Sequence, residues 1–335
     1  MKNKVLFTIL AIGLVITTAC SDSKKQNVEL RGIRIEDKCG FIDRNGKIVI
    51  IPRFDNTHIG FCEGLSGVEL SNKWGFIDKT GEIVISPQFD KAYGFSEGLA
   101  AVEIEGQLGF IDRAGEIVIS PQFEIDNSNY AWIRFCDGLA KITINGIFGF
   151  INKSGQIAIT PQFDFATDFS DGLAAVKRGT KWGFIDKKGK IVIDFQFDNA
   201  CGFSEGLAAI EAGGLYGFID KTGKFAINPQ FDDALSFSEG LAGVKLFGKM
   251  GFIDKNGTFA INPQFDWNLM VGEFHEDLAA VEKDGKIGFI DKTGKIVINP
   301  EFDYATYFDK GLTSVWRAGK REFIDKEGNI VWQEP

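Results

Sequence analysis

One tetrapeptide, Gly-Phe-Ile followed by Asp or Asn, recurs along most of the chain and constrains its fold more than any other feature. Its copies begin at Gly40, Gly75, Gly109, Gly149, Gly183, Gly217, Gly251 and Gly288, and a ninth copy reads Glu322-Phe323-Ile324-Asp325. The intervals are 35, 34, 40, 34, 34, 34, 37 and 34 residues. A period of this length indicates tandem structural units that stack on their neighbours.

Three short apolar runs make up each period. In one period they read Gly-Phe-Ile-Asp at 75–78, Ile-Val-Ile at 83–85 and Leu-Ala-Ala-Val at 99–102. No window shows the 3.6-residue apolar period of a helix, whereas β-branched and aromatic runs between Gly and Pro favour strands. We therefore predict an all-β fold, a tandem array of nine three-stranded antiparallel β-meanders ordered Leu-Ala-Ala-Val, Gly-Phe-Ile-Asp, Ile-Val-Ile.

Turn residues occupy fixed places in the period. A Gly follows each Asp or Asn by three residues, as Gly81 follows Asp78, which predicts a type I turn with a G1 bulge. Seven of the eight prolines occupy one slot after the Ile-Val-Ile run, as Pro87 does. Because Pro lacks a backbone donor, we expect it to end the strand, and we expect Phe89 to turn inward.

Apolar residues fall on both faces of these strands, so each sheet should be sandwiched between its neighbours. Small residues at Gly75, Ala100 and Ala101 are expected to leave room for large side chains of the adjoining unit. One unit buries too little apolar surface to order about 34 residues alone. Stability should therefore come from contacts between neighbouring units.

The overall shape of the array has two interpretations. The chain contains nine whole meanders and no split unit on which a ring could close, and propellers usually hold four to eight blades of four strands. An open superhelical solenoid is therefore favoured, and a closed propeller-like toroid is the alternative.

The N-terminus reads as an export signal. Lys2 and Lys4 precede an apolar run of about a dozen residues, too short for a bilayer that needs roughly 20. Thr17-Thr18-Ala19-Cys20 resembles the bacterial lipobox, and this resemblance implies cleavage before Cys20 and its acylation. We predict a signal peptide at 1–19, an acylated Cys20 and tether at 20–27, and a repeat domain at 28–335. A secretory signal with an incidental Cys is the alternative.

Charge and cysteine content bound the partners. The net charge is −9, and it becomes −11 when Lys2 and Lys4 are removed with the signal. This acidic balance argues against nucleic acid and anionic lipid surfaces, which select basic patches. Four further cysteines, Cys39, Cys62, Cys136 and Cys201, lack paired spacing, although an exported protein permits a disulfide.

The repeat resembles a known family. Lys-Trp-Gly-Phe-Ile-Asp-Lys at 73–79 and at 181–187 is similar to the bacterial WG repeat, also called the KWG repeat, and the resemblance extends over about residues 33–332. The family implies a β-repeat fold and says little about activity. The name-giving Trp is replaced in seven of nine copies, by Cys39, Leu108, Phe148, Tyr216, Met250, Ile287 and Arg321. The slot is therefore interpreted as a packing position of variable size.

No residue pattern indicates catalysis. The two histidines, His58 and His275, lie in the connectors between units and lack the spacing of a zinc pair. Acid pairs such as Asp90 and Glu97 recur in every unit, which favours turn caps over a glycosidase dyad. We predict no enzymatic activity, no catalytic residue, no cofactor and no metal site.

Binding is the predicted function. We expect a membrane-anchored scaffold of the cell envelope, at the outer membrane or its periplasmic face, that engages a protein or polysaccharide. A structural surface coat and, less favoured, a hydrolase of an envelope polymer are the alternatives. Extra residues fall only in connectors: one in 56–60, six in 124–135 and three in 267–274. Partner contacts are predicted at Tyr130, Trp132 and Ile133 and at Trp267, Leu269 and Met270; the alternative is that these side chains cover a sheet edge.

Overall fold

The computed structural model describes residues 29–58, 60–125 and 133–335, and these residues form β-strands joined by turns. Cys20, Tyr130 and Trp132 lie outside the described residues. The strands form nine successive units, named unit 1 to unit 9, and consecutive strands in a unit pair antiparallel. The all-β prediction is confirmed, and units 7 and 8 share one eight-stranded sheet.

Units 1 to 3 contain β1 (Arg31–Ile35), β2 (Lys38–Ile42), β3 (Ile48–Phe54); β4 (Asn56–Thr57), β5 (Ser66–Leu70), β6 (Lys73–Ile77), β7 (Ile83–Phe89); and β8 (Lys91–Ala92), β9 (Ala100–Ile104), β10 (Gln107–Ile111), β11 (Ile117–Phe123). Units 4 to 6 contain β12 (Phe135–Cys136), β13 (Leu139–Ile144), β14 (Ile147–Asn152), β15 (Ile157–Phe163); β16 (Phe165–Ala166), β17 (Leu173–Arg178), β18 (Lys181–Asp186), β19 (Ile191–Phe197); and β20 (Asn199–Ala200), β21 (Leu207–Ala212), β22 (Leu215–Asp220), β23 (Phe225–Phe231). Units 7 to 9 contain β24 (Asp233–Ser238), β25 (Leu241–Leu246), β26 (Lys249–Ile253), β27 (Phe259–Asp266); β28 (Phe274–His275), β29 (Leu278–Lys283), β30 (Lys286–Asp291), β31 (Ile296–Phe302); and β32 (Tyr304–Ala305), β33 (Leu312–Arg317), β34 (Lys320–Asp325), β35 (Ile330–Gln333).

A fourth strand, formed by the connector, distinguishes units 2 to 9 from the predicted meander. In unit 3, β8 pairs with β9, and the Tyr93 amide donates to the Ala101 carbonyl at 2.9 Å. The prediction of three strands was therefore wrong for units 2 to 9, whereas the described residues of unit 1 form three strands. The free backbone groups of the Leu-Ala-Ala-Val strand need partners, and the connector supplies them. Most of these added strands have two residues, too few to show a period of two in the sequence.

The predicted turn after Gly-Phe-Ile-Asp is confirmed. The Asp78 carboxylate accepts hydrogen bonds from the amides of Thr80 and Glu82 at 2.9 and 3.1 Å. Gly81 has a φ of +91°, and its amide donates to the Asp78 carbonyl. The register shifts by one residue at this point, as a G1 bulge requires.

Pro87 does not end its strand, contrary to the sequence prediction. It lies inside β7, where the register against β6 skips two residues between Ile85 and Phe89. A bulge on an edge strand tolerates Pro because no neighbouring strand needs its missing donor. The bulge packs closely against Gly75, where a Cβ would lie 2.4 Å from the Ile85 carbonyl oxygen and 2.6 Å from the Pro87 nitrogen. Gly75 thus makes room for its own edge strand, not for the adjoining unit as predicted.

Neighbouring units share their cores. Phe76, Ile85 and Phe89 of unit 2 form one buried cluster with residues of unit 3 that include Phe95 and Val102. The rings of Phe76 and Phe95 are 4.9 Å apart and meet edge to face. Equivalent pairs join later units, so the prediction that stability arises between units agrees with the packing.

Exposure differs between the strands of a unit. The Gly-Phe-Ile strand is buried on both faces, as expected, and Phe76 and Ile77 are inaccessible. The Ile-Val-Ile strand forms the sheet edge, where Ile83 and Val84 are each 46% exposed. The expectation that neighbours cover both faces was therefore wrong for this strand, because no strand follows it within the unit.

Unit 1 contacts unit 9 as well as unit 2. An Arg31 guanidinium nitrogen lies 2.7 Å from the Asp309 carboxylate, and the Lys310 ammonium lies 2.9 Å from Glu29. Ile33 and Ile42 of unit 1 share a buried cluster with Phe323 of unit 9. Residues nearly 300 positions apart thus form an interface with both polar and apolar contacts.

Candidate binding surface

The two ends of a unit carry different turns. The turn end has the turn that precedes the Leu-Ala-Ala-Val strand, which is Ser-Glu-Gly at 96–98 in unit 3, and the Asp-x-x-Gly turn, such as 78–81. The hairpin end has the two-residue hairpin after that strand, such as 105–106. Connectors run from the hairpin end of one unit to the turn end of the next.

Acids at the turn end bind the next unit. The Glu97 carboxylate accepts from the Gly138 amide at 3.1 Å and lies 3.1 Å from the Lys153 ammonium, and both partners belong to unit 4. The same contact joins Glu63 to Gly98, Asp137 to Gly172, Asp171 to Gly206, Glu205 to Gly240, Glu239 to Asp277 and Glu276 to Gly311. This row of acids therefore links each of units 2 to 8 to the unit that follows it.

Acids at the hairpin end have a similar role. Asp90 lies 2.6 Å from the Lys73 ammonium of the preceding unit, and it accepts from the Glu105 amide at 2.7 Å. The hydrogen bond from Lys73 and that from Glu105 hold the pKa of Asp90 below its ordinary value. Four other pairs repeat the Lys contact: Lys38 with Asp55, Lys181 with Asp198, Lys249 with Asp266 and Lys286 with Asp303.

The acids at both ends of the units therefore stabilise the fold through bonds within the chain. The interpretation of Asp90 and Glu97 as turn caps is consistent with these bonds. Among the described residues, no group of three or more His, Cys, Asp or Glu side chains is placed to hold a metal ion. No helix in the described ranges is long and apolar enough to cross a membrane.

His58 is a half-buried residue packed between two units. Its ring stacks on Trp74 at 5.2 Å, its Nδ1 accepts from the Gly67 amide, and its Nε2 lies 3.0 Å from the Ala92 carbonyl oxygen. These partners select the neutral tautomer with the proton on Nε2, and burial lowers the pKa of His58. Gly67 stands where units 3, 5, 6 and 8 have Ala, and a Cβ at Gly67 would lie 2.4 Å from Cε1 of the His58 ring.

Buried cysteines of this chain are poor nucleophiles. Cys39, Cys136 and Cys201 are free thiols. Burial, assisted by the charge of Asp168, raises the pKa of Cys136 to about 12, and burial raises that of Cys201 to about 11. A nucleophilic cysteine needs the opposite shift.

The connectors vary most from unit to unit. Each connector of units 2 to 9 contains a Phe that is buried or partly buried, and the residue just before it is Gly60, Gly94, Arg134, Asp168, Gly202, Ser236, Glu273 or Tyr307. Adjacent connectors touch: Arg134 of unit 4 lies 3.5 Å from the Asp168 carboxylate of unit 5, and Lys141 lies 3.8 Å from it. The connectors of units 4 and 5 thus contact each other, and the residue in this slot changes from unit to unit.

The predicted contact residues divide between core and surface. Ile133 packs against a buried cluster, and Trp267 is half-buried against another. Asn268 holds a tight turn by accepting from the Met270 amide at 2.9 Å. Leu269 and Met270 project from this turn and are 42% and 55% exposed.

One exposed aromatic residue escaped the sequence analysis. Phe247 occupies the hairpin tip of unit 7 and is 90% exposed. The sequence does distinguish this residue, because the equivalent position in other units holds a polar residue such as Glu105, Asn145 or Asp284. The periodic pattern of apolar residues concealed it, because Phe is common in the repeat.

Comparisons with known proteins agree on the repeat. The family model described as WG containing repeat matches residues 40–74, 74–107, 109–125, 148–182, 182–216, 216–249, 250–286 and 287–315. No curated protein matches the sequence. A solved structure described as the eukaryotic initiation factor is similar in fold, with 12% identity, a TM-score of 0.63 and coverage of 92% of this chain and 96% of that chain. BamB from Moraxella catarrhalis is 12% identical with a TM-score of 0.49 and coverage of 93% and 96%. These neighbours have propeller-like folds. The family matches span more than half of the sequence, and the chain therefore belongs to the WG repeat family.

Proposed function

We propose that this chain is a lipid-anchored scaffold of the cell envelope that binds a protein or a polysaccharide through its connector surface. One observation carries the proposal: the repeated polar residues form bonds within the chain, whereas the connectors differ in sequence and length. Asp78, Asp90 and Glu97 illustrate the repeated set, since each caps a turn. Repeat proteins of this kind present their variable segments to partners.

We also propose that the nine units form a closed, propeller-like ring in place of the open solenoid that the sequence favoured. Contacts of Arg31 with Asp309 and of Glu29 with Lys310 support closure. The position of Gly46 also supports closure, because a Cβ on this glycine would contact the Val331 carbonyl of unit 9. The equivalent turn glycines of other units lie against the edge strand of the preceding unit in the same way. A ring removes the two end units that an open array must cap.

Anchoring through Cys20 is the third part of the proposal and is supported by the lipobox-like sequence that precedes it. Acyl chains contribute about 0.8 kcal/mol per buried methylene, so two or more give stable anchoring. Cys20→Ala should abolish incorporation of a labelled fatty acid and move the protein to the aqueous phase in detergent partitioning. Equal labelling of the two proteins would end this part of the proposal.

Binding is tested with the full-length protein purified from its own envelope. Saturable association with one protein or one polysaccharide, weakened when Leu269 and Met270 are both changed to Ser, would support the scaffold. Lys188→Ala, a change at an exposed turn of unit 5, is the matched control. Assembly only with copies of itself would favour a surface coat, and release of sugars or peptides from envelope polymers would favour a hydrolase.

A further inference from the structure

Phe247 combines two features that a stable fold does not require. Its φ is +51°, and with Gly248 at +78° it forms the two-residue loop between Leu246 and Lys249. Such loops favour Asn, Asp or Gly, and a bulky side chain at positive φ is strained. The ring is also 90% exposed, so burial does not compensate for the strain.

Other units show what this slot accepts. Asn145, Asp284, Glu105 and Ala318 occupy it with φ values of +52°, +55°, +53° and +50°, and each is followed by Gly. Asn and Asp tolerate the left-handed conformation because their short polar side chains bond locally. Phe247 is the one aromatic residue that the described units place in this slot at positive φ, and packing does not explain its exposed ring, which indicates a role outside the fold.

We propose that the Phe247 side chain enters an apolar pocket of a partner protein. This inference rests on the proposed scaffold function and names the class of partner. One contact joins its hairpin to the enlarged connector of unit 8, because the Lys245 ammonium lies 6.0 Å from the centre of the Trp267 ring. The Lys249 ammonium lies 2.5 Å from Asp266, the last residue of β27 before that connector. Leu269 and Met270 of the same connector are also exposed.

The position of the N-terminus argues against the anchoring bilayer as the occupant. Glu29, the first described residue, contacts Lys310 at the turn end of the array. Phe247 lies at the hairpin end, the other end of the six-residue strand that begins at Leu241. At about 3.3 Å per residue this strand separates the two ends by roughly 20 Å. Glu29, where the described part of the chain begins, therefore lies at the turn end, and Phe247 lies at the hairpin end.

Neighbouring polar groups argue against a polysaccharide. Asp266 is engaged by Lys249 and by the Asp284 amide at 2.8 Å. Asn268 is engaged by the Met270 amide and donates to the Glu282 carboxylate at 2.6 Å. A sugar must exchange its bonds to water for bonds to the protein, and these groups are already bonded. A convex aromatic ring suits an apolar pocket, the arrangement typical of interface hot spots.

The first experiment replaces Phe247 by p-benzoyl-phenylalanine in the full-length chain and irradiates the producing cells. The same replacement at Asn145, which has the same backbone conformation in unit 4, is the control. We expect one protein adduct of defined mass from position 247 and none from position 145. Phospholipid or glycan adducts, a dimer of this chain, equal adducts at both positions, or no adduct would overturn the proposal.

The second experiment purifies the partner identified from that adduct and measures its Kd. We expect Phe247→Asn to weaken binding at least tenfold and Glu105→Asn to leave it unchanged. The urea midpoint of Phe247→Asn should equal or exceed that of the unmodified protein, which separates lost contact from misfolding. An unchanged Kd would overturn the role of Phe247 and leave the scaffold standing, whereas a chain without any partner would remove the scaffold proposal itself.

Discussion

Gly75→Ala tests the close approach between the Gly-Phe-Ile strand and the edge strand. The added Cβ would lie 2.4 Å from the Ile85 carbonyl oxygen, and ordinary contact begins near 3.4 Å. The edge strand would have to move by about 1 Å, and backbone atoms cannot rotate away as a side chain can. Overpacking of this kind costs about 3 kcal/mol, at the upper end of the usual range.

Gly202→Ala is the matched control for Gly75→Ala. Gly202 lies in a connector with ordinary φ, and its built Cβ would meet only the Thr167 hydroxyl at 3.8 Å. This change should stabilise the protein by about 0.4–1 kcal/mol, because Ala restricts the unfolded chain more than Gly. Urea midpoints followed by circular dichroism measure both variants. Equal midpoints would refute the close approach inferred at Gly75.

Three further predictions concern turns, acids and the enlarged connector. Gly189→Val should cost about 1–3 kcal/mol more than Lys188→Ala, because Gly189 has a φ of +77° and its built Cβ lies 3.1 Å from Ile159; equal midpoints would mean that the turn assignment is wrong. Hydrogen bonds from lysines are the chief cause that lowers the pKa values of Asp90, Asp198 and Asp303 in the folded protein. The ionised carboxylates therefore stabilise the fold above a pH of about 4, and this stabilisation is lost as the pH falls through their pKa values in the folded state. The urea midpoint should therefore fall between pH 5 and pH 3, and a midpoint that stays constant would contradict the pairing. Trp267→Ala should cost about 3 kcal/mol because its ring is half-buried, whereas Met270→Ala should cost almost nothing; thermal unfolding compares them, and the reverse order would mean that Met270 belongs to the core.

The sequence identified features that depend on local chemistry. The turn at Asp78 and Gly81 was predictable because an acceptor and a residue with positive φ are needed at fixed positions. The inward position of Phe89 was predictable because the apolar run resumes after Pro87. The period itself revealed the number of units.

Features that depend on contacts between residues distant in sequence could not be predicted from the sequence. The connector strands have too few residues for a pattern, and the bulge at Pro87 depends on the missing side chain of Gly75 in another strand. The interface of unit 1 with unit 9 joins Arg31 to Asp309, and neither residue belongs to the repeat pattern of its slot. Exposure of Phe247 was hidden because apolar periodicity does not distinguish a buried ring from one at a hairpin tip.

Closure of the ring is tested most directly by zero-length carbodiimide cross-linking of the full-length protein at low concentration. Glu29 and Lys310 are 281 positions apart in sequence, yet their carboxylate and ammonium lie 2.9 Å apart. Glu205 and Lys255, which link neighbouring units at 3.1 Å, provide an internal reference. Mass spectrometry of the monomer should find an amide bond between Glu29 and Lys310 and should lose it in Glu29→Gln. Recovery of the Glu205–Lys255 cross-link without the Glu29–Lys310 cross-link would contradict a closed ring.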